Sequence, residues 1–468
     1  MPISADQILT VAQMQAAEQA LIERGTTVDE LMRRAGRGAA DWIWRIAGKG
    51  SVTILCGPGN NGGDGYVIAG DLQKRGARVT VIAPLPPATA AANSARAAWN
   101  GNPAPDDAAA SGDIFVDCLF GSGLSRPLDD ALEGLLARLA ATHQYRVALD
   151  VPSNIASDDG RLLGPVPGFD LTLALGAWKY AHFTMPAAAK MGVLRLIDIG
   201  VGGKHPDAHV NQAPRLAPPP ANAHKYTRGL LGIVAGTMPG AATLAAEAAM
   251  RAGAGYVRLL GRQTREAALP TELVAYTRPL DDALEDGRYA ALLVGPGLGR
   301  DEAARDAVAS ALCTQLPCVL DADALRLLTP AARATAGRLI LTPHEGELQA
   351  LEAAWGLQGA ASAPAHERAL ALARACRAVV VAKGPNTVIA APDGALRLAP
   401  RASSWLSAAG TGDVLAGIIA SRLATGAAPF DAAAQGVWLH GEAARLAGPA
   451  FTAGWLARHV ARAYAAAL

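Results

Sequence analysis

Short apolar segments typical of buried strands alternate with segments of helical periodicity along the chain. Such alternation favours an α/β fold with helices on both faces of a mostly parallel sheet. Strands are predicted in this way at 52–56, 77–82, 114–118, 146–150, 171–175, 193–199, 230–235, 255–260, 291–294, 318–321, 339–342, 379–382, 387–391 and 395–398. Asp393-Gly394, between the last two strands, indicates a hairpin turn. We therefore predict an α/β fold built as three-layer α/β/α sandwiches.

A proline-rich segment divides the chain. Asn211-Gln212-Ala213-Pro214-Arg215-Leu216-Ala217-Pro218-Pro219-Pro220 has no apolar periodicity, and its prolines favour an extended, semi-rigid spacer. A length of 468 residues suits two domains. We predict domains over 1–212 and 222–468, joined by a linker over 213–221.

The composition excludes several classes of protein. Hydrophobic residues make up 51% and charged residues 18%, with a formal net charge of +1 and no basic stripe, which argues against nucleic-acid or anionic-membrane partners. The five scattered cysteines form no Cys-x-x-Cys pair, as expected in a reducing cytosol. We find neither a signal peptide at residues 1–6 nor an apolar stretch of membrane-spanning length. These features predict a cytoplasmic enzyme.

The most informative motif lies near the end of the chain, where Ala408-Ala409-Gly410-Thr411-Gly412-Asp413 precedes an apolar run. Val414, Leu415, Ile418, Ile419 and Leu423 in that run are predicted to share one side of a helix. Glycines at a helix start let backbone N–H groups bind an anion, and Asp413 adds a carboxylate in the first turn. This pairing suits phosphoryl transfer to a hydroxyl. The alternative is a Thr-capped helix start with an acidic first turn.

A second glycine-rich segment, Gly57-Pro58-Gly59-Asn60-Asn61-Gly62-Gly63-Asp64-Gly65, separates the first strand from a helix predicted over 65–75. A glycine loop between strand and helix is how α/β folds hold phosphates. The segment is neither a G-x-G-x-x-G motif nor a P-loop, and Asn-Gly alone would indicate a hairpin turn.

Acidic residues end two further strands of this half. Asp117 precedes Gly121-Ser122-Gly123, and Asp150 precedes Val151-Pro152-Ser153. Because the carboxyl ends of parallel strands line one crevice, we expect Asn61, Asp117, Asp150 and Ser153 to converge. Their oxygen atoms suit a hydrated or monovalent cation, and Asp150 suits acid/base chemistry. Each acid taken alone is equally explained as a loop cap.

The nonapeptide, the Asp117 to Leu124 segment and Leu149-Asp150-Val151-Pro152-Ser153 resemble the NAD(P)H-hydrate epimerase domain over about residues 1–210. The resemblance implies a Rossmann-like fold and interconversion of the R and S epimers of hydrated NADH and NADPH (NADHX and NADPHX). It implies catalysis by Asp150 and Lys179, the latter otherwise an ordinary surface lysine, and potassium bound by Asn61, Asp117 and Ser153. The implied substrate contacts are Asn60, Asn61, Gly62, Gly63, Asp64, Gly121, Ser122, Gly123, Leu124, Ser125, Arg126, Pro127 and Asp150. Asn154 stands where the family usually has glycine, and asparagine tolerates the left-handed backbone.

The second half carries further loop motifs. These are Gly295-Pro296-Gly297-Leu298-Gly299, Asp321-Ala322-Asp323-Ala324-Leu325, Thr342-Pro343-His344-Glu345-Gly346-Glu347 and Lys383-Gly384-Pro385-Asn386-Thr387. The histidine motif is not that of a metalloprotease, because Leu348 occupies the position of the second histidine. Its acids alternatively start a helix. Lys383, in a turn between two strands, suits a phosphate.

With Ala-Gly-Thr-Gly-Asp, these motifs resemble the ribokinase-like NAD(P)H-hydrate dehydratase domain from about residue 222 onward. The resemblance implies that a nucleotide, ADP in most bacterial members and ATP in eukaryotic ones, phosphorylates the hydrate hydroxyl before phosphate leaves. Asp413 is then the base, Gly410 to Gly412 form the anion hole, and Mg²⁺ screens the phosphates. Implied nucleotide contacts are Lys383, Gly384, Pro385, Asn386, Thr387, Gly410, Thr411 and Gly412; implied hydrate contacts are Ala241, Gly299, His344 and Asp413. Ser403 to Ser407 depart from the family, which more often reads Gly-Asn-Pro there.

The sequence therefore predicts a bifunctional repair enzyme with an epimerase domain followed by an ADP-dependent dehydratase domain. We expect small-molecule nucleotide substrates as its partners, no nucleic acid and no membrane, and a homo-oligomer. Two alternatives stay open: a C-terminal kinase for a vitamin precursor, and a non-catalytic nucleotide-binding N-terminal module. The preferences for ADP or ATP and for NADHX or NADPHX also stay open.

Overall fold

The computed structural model describes residues 5–106, 109–202, 208–261, 269–334, 338–357 and 363–468. They form two compact units, Met1–His209 and Val210–Leu468. Residues 1–4, which are part of the segment where no signal peptide was predicted, lie outside the described residues. In the described part of the chain, no helix is long and apolar enough to cross a membrane.

The first unit opens with a short strand and two helices and continues as alternating strands and helices. Its elements are β1 (Gln7–Ile8), α1 (Val11–Glu23), α2 (Val28–Ala47), β2 (Ser51–Cys56), α3 (Asn60–Lys74), β3 (Arg78–Ile82), α4 (Ala90–Ala98), β4 (Gly112–Cys118), α5 (Asp130–Ala141), β5 (His143–Leu149), β6 (Leu171–Leu175), β7 (Val193–Ile197) and β8 (Ala208–Val210). All six strands predicted for this half are present. The sequence did not predict β1 and β8, which pair antiparallel.

Strands β2 to β7 form a parallel six-stranded sheet in the order β3-β2-β4-β5-β6-β7. One buried cluster packs α2 and α3 on one face of this sheet, and another packs α5 on the opposite face. Leu171–Leu175 is buried at every position, because a parallel sheet covered on both faces exposes neither side. The three-layer α/β/α prediction is confirmed for this unit.

The second unit repeats this style with a larger sheet. Its elements are β9 (Leu230–Val234), α6 (Pro239–Arg251), β10 (Tyr256–Leu260), β11 (Val274–Tyr276), α7 (Leu280–Leu284), β12 (Tyr289–Val294), α8 (Glu302–Cys313), β13 (Cys318–Leu320), α9 (Asp323–Leu327), α10 (Pro330–Ala334), β14 (Leu339–Leu341), α11 (Glu345–Ala354), α12 (Ala365–Cys376), β15 (Val379–Ala382), β16 (Val388–Ala390), β17 (Leu396–Leu398), α13 (Thr411–Ala424), α14 (Pro429–Ala447) and α15 (Ala453–Ala465). Its strands follow the order β17-β16-β15-β14-β13-β12-β9-β10-β11.

Strands β9 to β15 of this unit pair in parallel, whereas β15, β16 and β17 pair antiparallel. The predicted hairpin at Asp393-Gly394 is confirmed between β16 and β17. Parallel strands connected through helices place their carboxyl ends at one edge of the sheet, where ligands bind in such folds.

Helix α13 differs from its prediction. The sequence favoured one apolar face, but every residue from Val414 to Ala424 is buried. Apart from Arg422, the positions between the large apolar residues hold small residues such as Ala416, Gly417 and Ala420, which let neighbouring elements pack on all sides. Against α6, a Cβ atom added to Gly417 would lie 2.1 Å from the Ala245 carbonyl oxygen.

The proline-rich segment is extended, and two of its residues are anchored within the second unit. Buried Asn211 donates through its side chain to the Ala434 carbonyl at 3.0 Å. The Leu216 N–H donates to the Ala467 carbonyl at 2.7 Å, and its side chain joins the buried cluster of α14 and α15. The domain ranges 1–212 and 222–468, with the linker 213–221, stay a prediction.

Two candidate active sites

In the first unit, the glycine-rich nonapeptide is mostly the start of a helix. Helix α3 begins at Asn60, not at the predicted residue 65, and Gly59 is its N-cap. A Cβ atom on Gly57 would lie 1.7 Å from the Leu119 carbonyl oxygen, and one on Gly62 would lie 1.9 Å from the Gly57 carbonyl oxygen. Close packing therefore requires glycine at both positions. The Asn-Gly hairpin alternative is wrong, because Asn61 and Gly62 lie in the first turn of α3.

Residues from three loops meet beside this helix start. A Cβ atom added to Gly121 would lie 3.1 Å from Asp150 Oδ2 and 3.2 Å from Asn61 Oδ1. The Ser122 N–H donates to Asp150 Oδ2 at 3.0 Å. At the exposed Asn60, the side-chain amide oxygen Oδ1 accepts a hydrogen bond from the Thr89 hydroxyl at 2.7 Å. Asn61, Gly121, Ser122 and Asp150 thus line one crevice.

Asp150 and Lys179 form a buried ion pair in this crevice. Lys179 Nζ donates to Asp150 Oδ1 at 2.5 Å and to the Leu175 carbonyl at 2.7 Å. Lys179 is only 1% exposed, so the surface-lysine alternative is wrong. Burial alone would raise the pKa of Asp150, but the charge and hydrogen bond of Lys179 outweigh it and hold that pKa below its usual value.

Two more carboxyl groups accompany this pair. Burial, together with the negative charges of Asp150 and Glu18, raises the pKa of Asp64 well above its usual value. Burial also raises the pKa of Glu18, which lies on α1, against the opposing charge of Lys179. An ionised Asp150 therefore stands near carboxyl groups that favour their protonated form.

Asp117 and Ser153 lie together at the ends of β4 and β5. Ser153 donates to Asp117 through its hydroxyl at 2.8 Å and through its N–H at 2.9 Å. Burial raises the pKa of Asp117 to about 6 despite these bonds. Within the described residues, the buried amide nitrogen of Asn61 has no hydrogen-bond partner.

The remaining predicted contacts of this unit differ in setting. Gly62, Gly63 and Asp64 are buried in α3, whereas Gly123, Ser125, Arg126 and Pro127 are exposed. Asn154 has a φ of 72°, which confirms the left-handed backbone expected there. Its side chain accepts from the Leu128 N–H at 2.9 Å and donates to Glu133 at 2.8 Å, ties that a glycine would lack.

In the second unit, the predicted anion hole lies at the start of α13. Gly410 is the N-cap with a φ of 87°, and a Cβ atom there would lie 2.9 Å from that of Ala453. Thr411 is the first helical residue, and its hydroxyl donates to the Leu406 and Ala408 carbonyls at 2.8 and 2.9 Å. The Thr-cap alternative is therefore wrong, and the helix start leaves backbone N–H groups available to an anion.

Lys383 and Asp321 lie beside this helix start, which carries Asp413 in its first turn. Lys383 Nζ donates to buried Asp321 at 2.6 Å and would lie 3.6 Å from a Cβ atom added to Gly412. Burial opposes the charge of Lys383, but Asp321 and other nearby acids outweigh it and raise its pKa. Burial and the charge of Asp321 raise the pKa of Asp413 to about 6, against the opposing charge of Lys383. Asp413 is thus a carboxylate of raised basicity beside an anion-binding helix end.

His344 is the N-cap of α11. Its Nδ1 accepts from the Gly346 N–H at 3.0 Å, and the Glu347 carboxylate accepts from the His344 N–H at 2.9 Å. This capping box confirms that the acids start a helix, while the His344 side chain stays 58% exposed. An isolated parallel bridge links His344 to Lys383, which places both motifs at the same sheet edge.

Ala241 and Gly299, two of the remaining predicted contacts, lie at or near the loop after β12. Ala241 lies in the first turn of α6, and a Cβ atom on Gly297 would lie 3.1 Å from its methyl group. The Gly299 N–H donates to Asp323 at 3.0 Å.

Gly384, Pro385, Asn386 and Thr387 form the predicted turn between β15 and β16. The divergent loop lines a cavity of about 540 Å³ bounded by Ser404, Trp405, Ser407, Ala408, Ala450 and Phe451.

Sequence reasoning missed three residues that contact or surround these sites. Asp321 stood in a quoted motif without a role, and only the structure pairs it with Lys383. Glu18 lies on a helix far from the motifs along the chain. His182 contacts the backbones of both Asp150 and Lys179. A polar residue at a strand end signalled Asp321, but no periodicity signalled the other two.

The fold and the sites together define a two-site α/β enzyme, with a buried acid–base pair in one unit and a phosphoryl-transfer arrangement in the other. Comparison with known proteins agrees: residues 231–465 match the NAD(P)H-hydrate dehydratase family model, and residues 28–181 match the YjeF-related protein N-terminus model. The chain belongs to the family of bifunctional NAD(P)H-hydrate repair enzymes, and both of its units have the predicted α/β fold with a mostly parallel sheet.

Relatives named bifunctional NAD(P)H-hydrate repair enzyme Nnr match most of the chain. That of Mycobacterium tuberculosis H37Rv is 36% identical over 86% of this chain and 86% of its own. That of Moorella thermoacetica is 34% identical over 88% of this chain and 87% of its own. A crystal structure of the ADP/ATP-dependent NAD(P)H-hydrate dehydratase from Bacillus subtilis, co-crystallised with ATP/Mg²⁺, is 32% identical over 54% of this chain and 95% of its own, with a TM-score of 0.47.

Proposed function

We propose that the first unit interconverts R- and S-NAD(P)HX and that the second unit dehydrates S-NAD(P)HX to NAD(P)H. ADP is consumed in the second reaction and gives AMP and phosphate. One observation carries the proposal: a single chain of this family holds both the buried Asp150–Lys179 pair and Asp413 at a glycine-capped helix start. Together these sites supply acid/base chemistry at one centre and phosphoryl transfer at the other.

In the first unit, epimerisation can proceed by breaking and re-forming the bond between the hydroxyl-bearing carbon and the ring nitrogen. The hydroxyl loses its proton as its oxygen becomes a carbonyl, the ring nitrogen takes the electron pair and a proton, and closure on the other face of the carbonyl reverses both transfers. Asp150, held ionised by Lys179 at 2.5 Å, accepts the hydroxyl proton, and the Lys179 ammonium supplies the proton that the ring nitrogen takes up. The Ser122 N–H fixes the second oxygen of the Asp150 carboxylate. The crevice of Asn60 to Asp64 and Gly121 to Pro127 holds the nucleotide around this pair.

Potassium fits the residues proposed to bind it. The donor set of Asn61, Asp117 and Ser153 is all oxygen, which hard cations prefer. In the described part of the chain, no cationic side chain accompanies Asp117, and burial raises its pKa. A cation beside the carboxylate would reverse that shift. The partnerless Asn61 amide would offer its oxygen instead of its nitrogen after a flip of the side chain. Bound there, K⁺ would stabilise the loops that carry Asp117 and Ser153.

In the second unit, Asp413 takes the proton of the hydrate hydroxyl as that oxygen bonds to the β-phosphorus of ADP. The bond from phosphorus to the AMP oxygen breaks, and AMP leaves. The ring then loses a proton and expels the phosphate, so NAD(P)H, phosphate and AMP are formed. Lys383 and the N–H groups after Gly410 stabilise the charge on the transferring phosphate. Lys383 to Thr387 hold the nucleotide, while Ala241, Gly299 and His344 face the hydrate.

Mg²⁺ would be carried by the nucleotide phosphates. Within the described residues, no group of three or more His, Cys, Asp or Glu side chains forms a metal cage. Asp321 and Asp413 beside the anion hole fit a cation that arrives with its phosphates and neutralises their charge.

The test is regeneration of NADH from NADHX by the purified chain, with ADP and ATP in parallel. We expect the absorbance of NADH to return with ADP. Asp413→Ala should lower the rate by about 10² to 10⁴, the usual loss of a general base. Thermal unfolding of the variant shows whether it remains folded. No recovery with either nucleotide would instead favour a vitamin-precursor kinase.

Three finer points belong to the same proposal. All five cysteines are free thiols, as expected of a cytoplasmic protein. NADHX and NADPHX are both proposed as substrates, and parallel assays with each give the preference. Light scattering tests the expected homo-oligomer.

A further inference from the structure

His182 lies in a short 3₁₀ turn, Tyr180–Phe183, directly after Lys179. Its side chain is 2% exposed. Ring Nδ1 accepts a hydrogen bond from the Lys179 backbone N–H at 2.9 Å. Ring Nε2 lies 2.8 Å from the backbone carbonyl oxygen of Asp150. One imidazole thus bridges the backbones of both members of the buried ion pair.

The bridge fixes the tautomer of His182. A backbone N–H can only donate and a carbonyl can only accept, so the direction of each bond is set. Only a neutral ring with its proton on Nε2 satisfies both partners. The imidazolium would set an N–H of the ring against the N–H of Lys179. Burial and the charge of Lys179 lower the pKa of His182 to about 4, in agreement with a neutral ring.

The backbone held by this ring is one that needs support. Asp150 has a φ of 64°, a left-handed conformation that is unfavourable for a residue with a Cβ atom. The Trp178 ring packs edge-on against His182 with centroids 5.5 Å apart, and the Phe183 ring lies 6.4 Å away. These contacts keep the imidazole from rotating away from its two bonds.

We propose that His182 is a positioning residue of the epimerase site. Its Nε2–H bond holds the carbonyl of Asp150, and its Nδ1 holds the N–H of Lys179, so that carboxylate and ammonium meet at 2.5 Å. The assignment rests on the proposed epimerase function of this unit. It gives His182 no contact with the substrate.

Two variants divide the bridge. In His182→Asn the side-chain oxygen replaces the Nδ1 acceptor but nothing reaches Asp150, whereas in His182→Gln the amide reaches Asp150 and the acceptor is lost. We expect kcat for epimerisation to fall about 10- to 100-fold in the Asn variant, because a buried carbonyl is left without a donor. KM should stay within about twofold, and the Gln variant should recover part of kcat.

His143→Gln is the matched control. His143 is also buried in this unit, but its ring bonds to Thr53 and the Leu139 carbonyl. Any activity loss there that tracks thermal unfolding measures instability alone. A His182→Asn chain that is folded and keeps the kcat of the unchanged chain would overturn the proposal, as would equal losses in the Asn and Gln variants.

A spectroscopic readout separates this proposal from the epimerase function itself. In the full chain labelled with ¹⁵N-histidine, His182 should show a protonated Nε2 and an unprotonated Nδ1. A proton on Nδ1 would overturn the bridge regardless of activity. If the unchanged chain fails to interconvert the epimers, the proposed function falls, while this measurement still decides whether His182 joins Asp150 to Lys179.

Discussion

Asp413 is subject to two opposing charges at close range. Burial and Asp321 favour its protonated form, and Lys383 favours its ionised form, with a resulting pKa of about 6. A carboxylate of ordinary pKa would be ionised but a weak base, whereas one near neutrality accepts a proton more readily. The pairing of Asp321 with Lys383 therefore tunes the base as well as anchoring the lysine.

This tuning predicts the pH dependence of the dehydratase. Asp413 acts as a base only when ionised, so kcat/KM should fall about tenfold per pH unit below about 6. Lys383→Met removes the charge that lowers the pKa, so the acid limb should move to higher pH. Asp321→Asn removes a charge that raises the pKa, so the limb should move to lower pH.

The measurement is the pH profile of NADH regeneration at low substrate for the three chains. Both variants should also lose rate, because Lys383 is proposed to stabilise phosphate and Asp321 holds Lys383 in place. The pH at which the acid limb lies is independent of that loss. Limbs that move in the same direction, or that do not move, would contradict the assignment of Asp413 as the base. Lys225→Met, at a lysine that stacks on Tyr226 and Tyr256, is the control.

At the scale of the element, α13 combines the anion hole with the core of its unit. Its residues from Val414 onward are enclosed, and its contact with α6 is made by small residues. Because the two helices approach backbone to backbone at Gly417, any side chain there separates them. Since Gly410 is the N-cap of this helix and Asp413 lies in its first turn, a shift of α13 would also displace the groups proposed for catalysis.

Gly417→Ala should therefore destabilise the second unit by about 1–3 kcal/mol and lower dehydratase activity, because the new methyl group meets the Ala245 carbonyl at 2.1 Å. Gly454→Ala is the matched control: Gly454 lies in α15 with nothing within 4 Å of the added Cβ atom. That change should be neutral or stabilise by up to about 1 kcal/mol. Thermal or urea unfolding compares them. Equal stability of the two variants would argue against the close approach of α6 and α13.

Elements were predictable where burial forces a repeated pattern. Every predicted strand is present. Most of them are continuous apolar runs, because strands covered on both faces expose neither side. Strands β1, β8 and β11 were not predicted, because β1 has only two residues, β8 has His209 at its centre and β11 has no buried position. The start of α3 was placed too late, since glycines read as loop by propensity when close packing was their real reason.

The sites were predictable as motifs but not as contacts. Gly-Thr-Gly-Asp and the nonapeptide indicate anion binding because a glycine before a helix has a physical use. The partners that complete them lie far away along the chain: Asp321 is 62 residues from Lys383, and His182 is 32 residues from Asp150. Sequence separation of that size is set by topology, which local patterns do not specify.

At the scale of the whole molecule, the two reactions should be separable by single substitutions. Given both epimers of NADHX and ADP, Asp150→Ala should consume the S epimer and leave most of the R epimer. Asp413→Ala should interconvert the epimers without forming NADH. If the hydrate exchanges between chains through solution, an equimolar mixture of the two variants should restore consumption of both epimers.

Epimer-resolved chromatography with NADH absorbance follows all three reactions. The unchanged chain and each folded variant are compared at equal concentration. If Asp150→Ala consumes the R epimer as fast as the unchanged chain does, the first unit is a nucleotide-binding module without catalysis. A mixture that performs no better than its parts would contradict the independence of the two sites.

The anchoring of Leu216 bears on how the second unit can be produced alone. A fragment that starts at residue 222 would lack the Leu216 side chain, which belongs to the buried cluster of α14 and α15. The Ala467 carbonyl, just after α15, would lose the hydrogen bond from the Leu216 N–H. Apolar surface would then face water at the chain terminus, where it promotes aggregation. Fragments for crystallisation or screening should therefore begin before Asn211. The proline-rich linker predicted over 213–221 would otherwise be taken as the natural boundary.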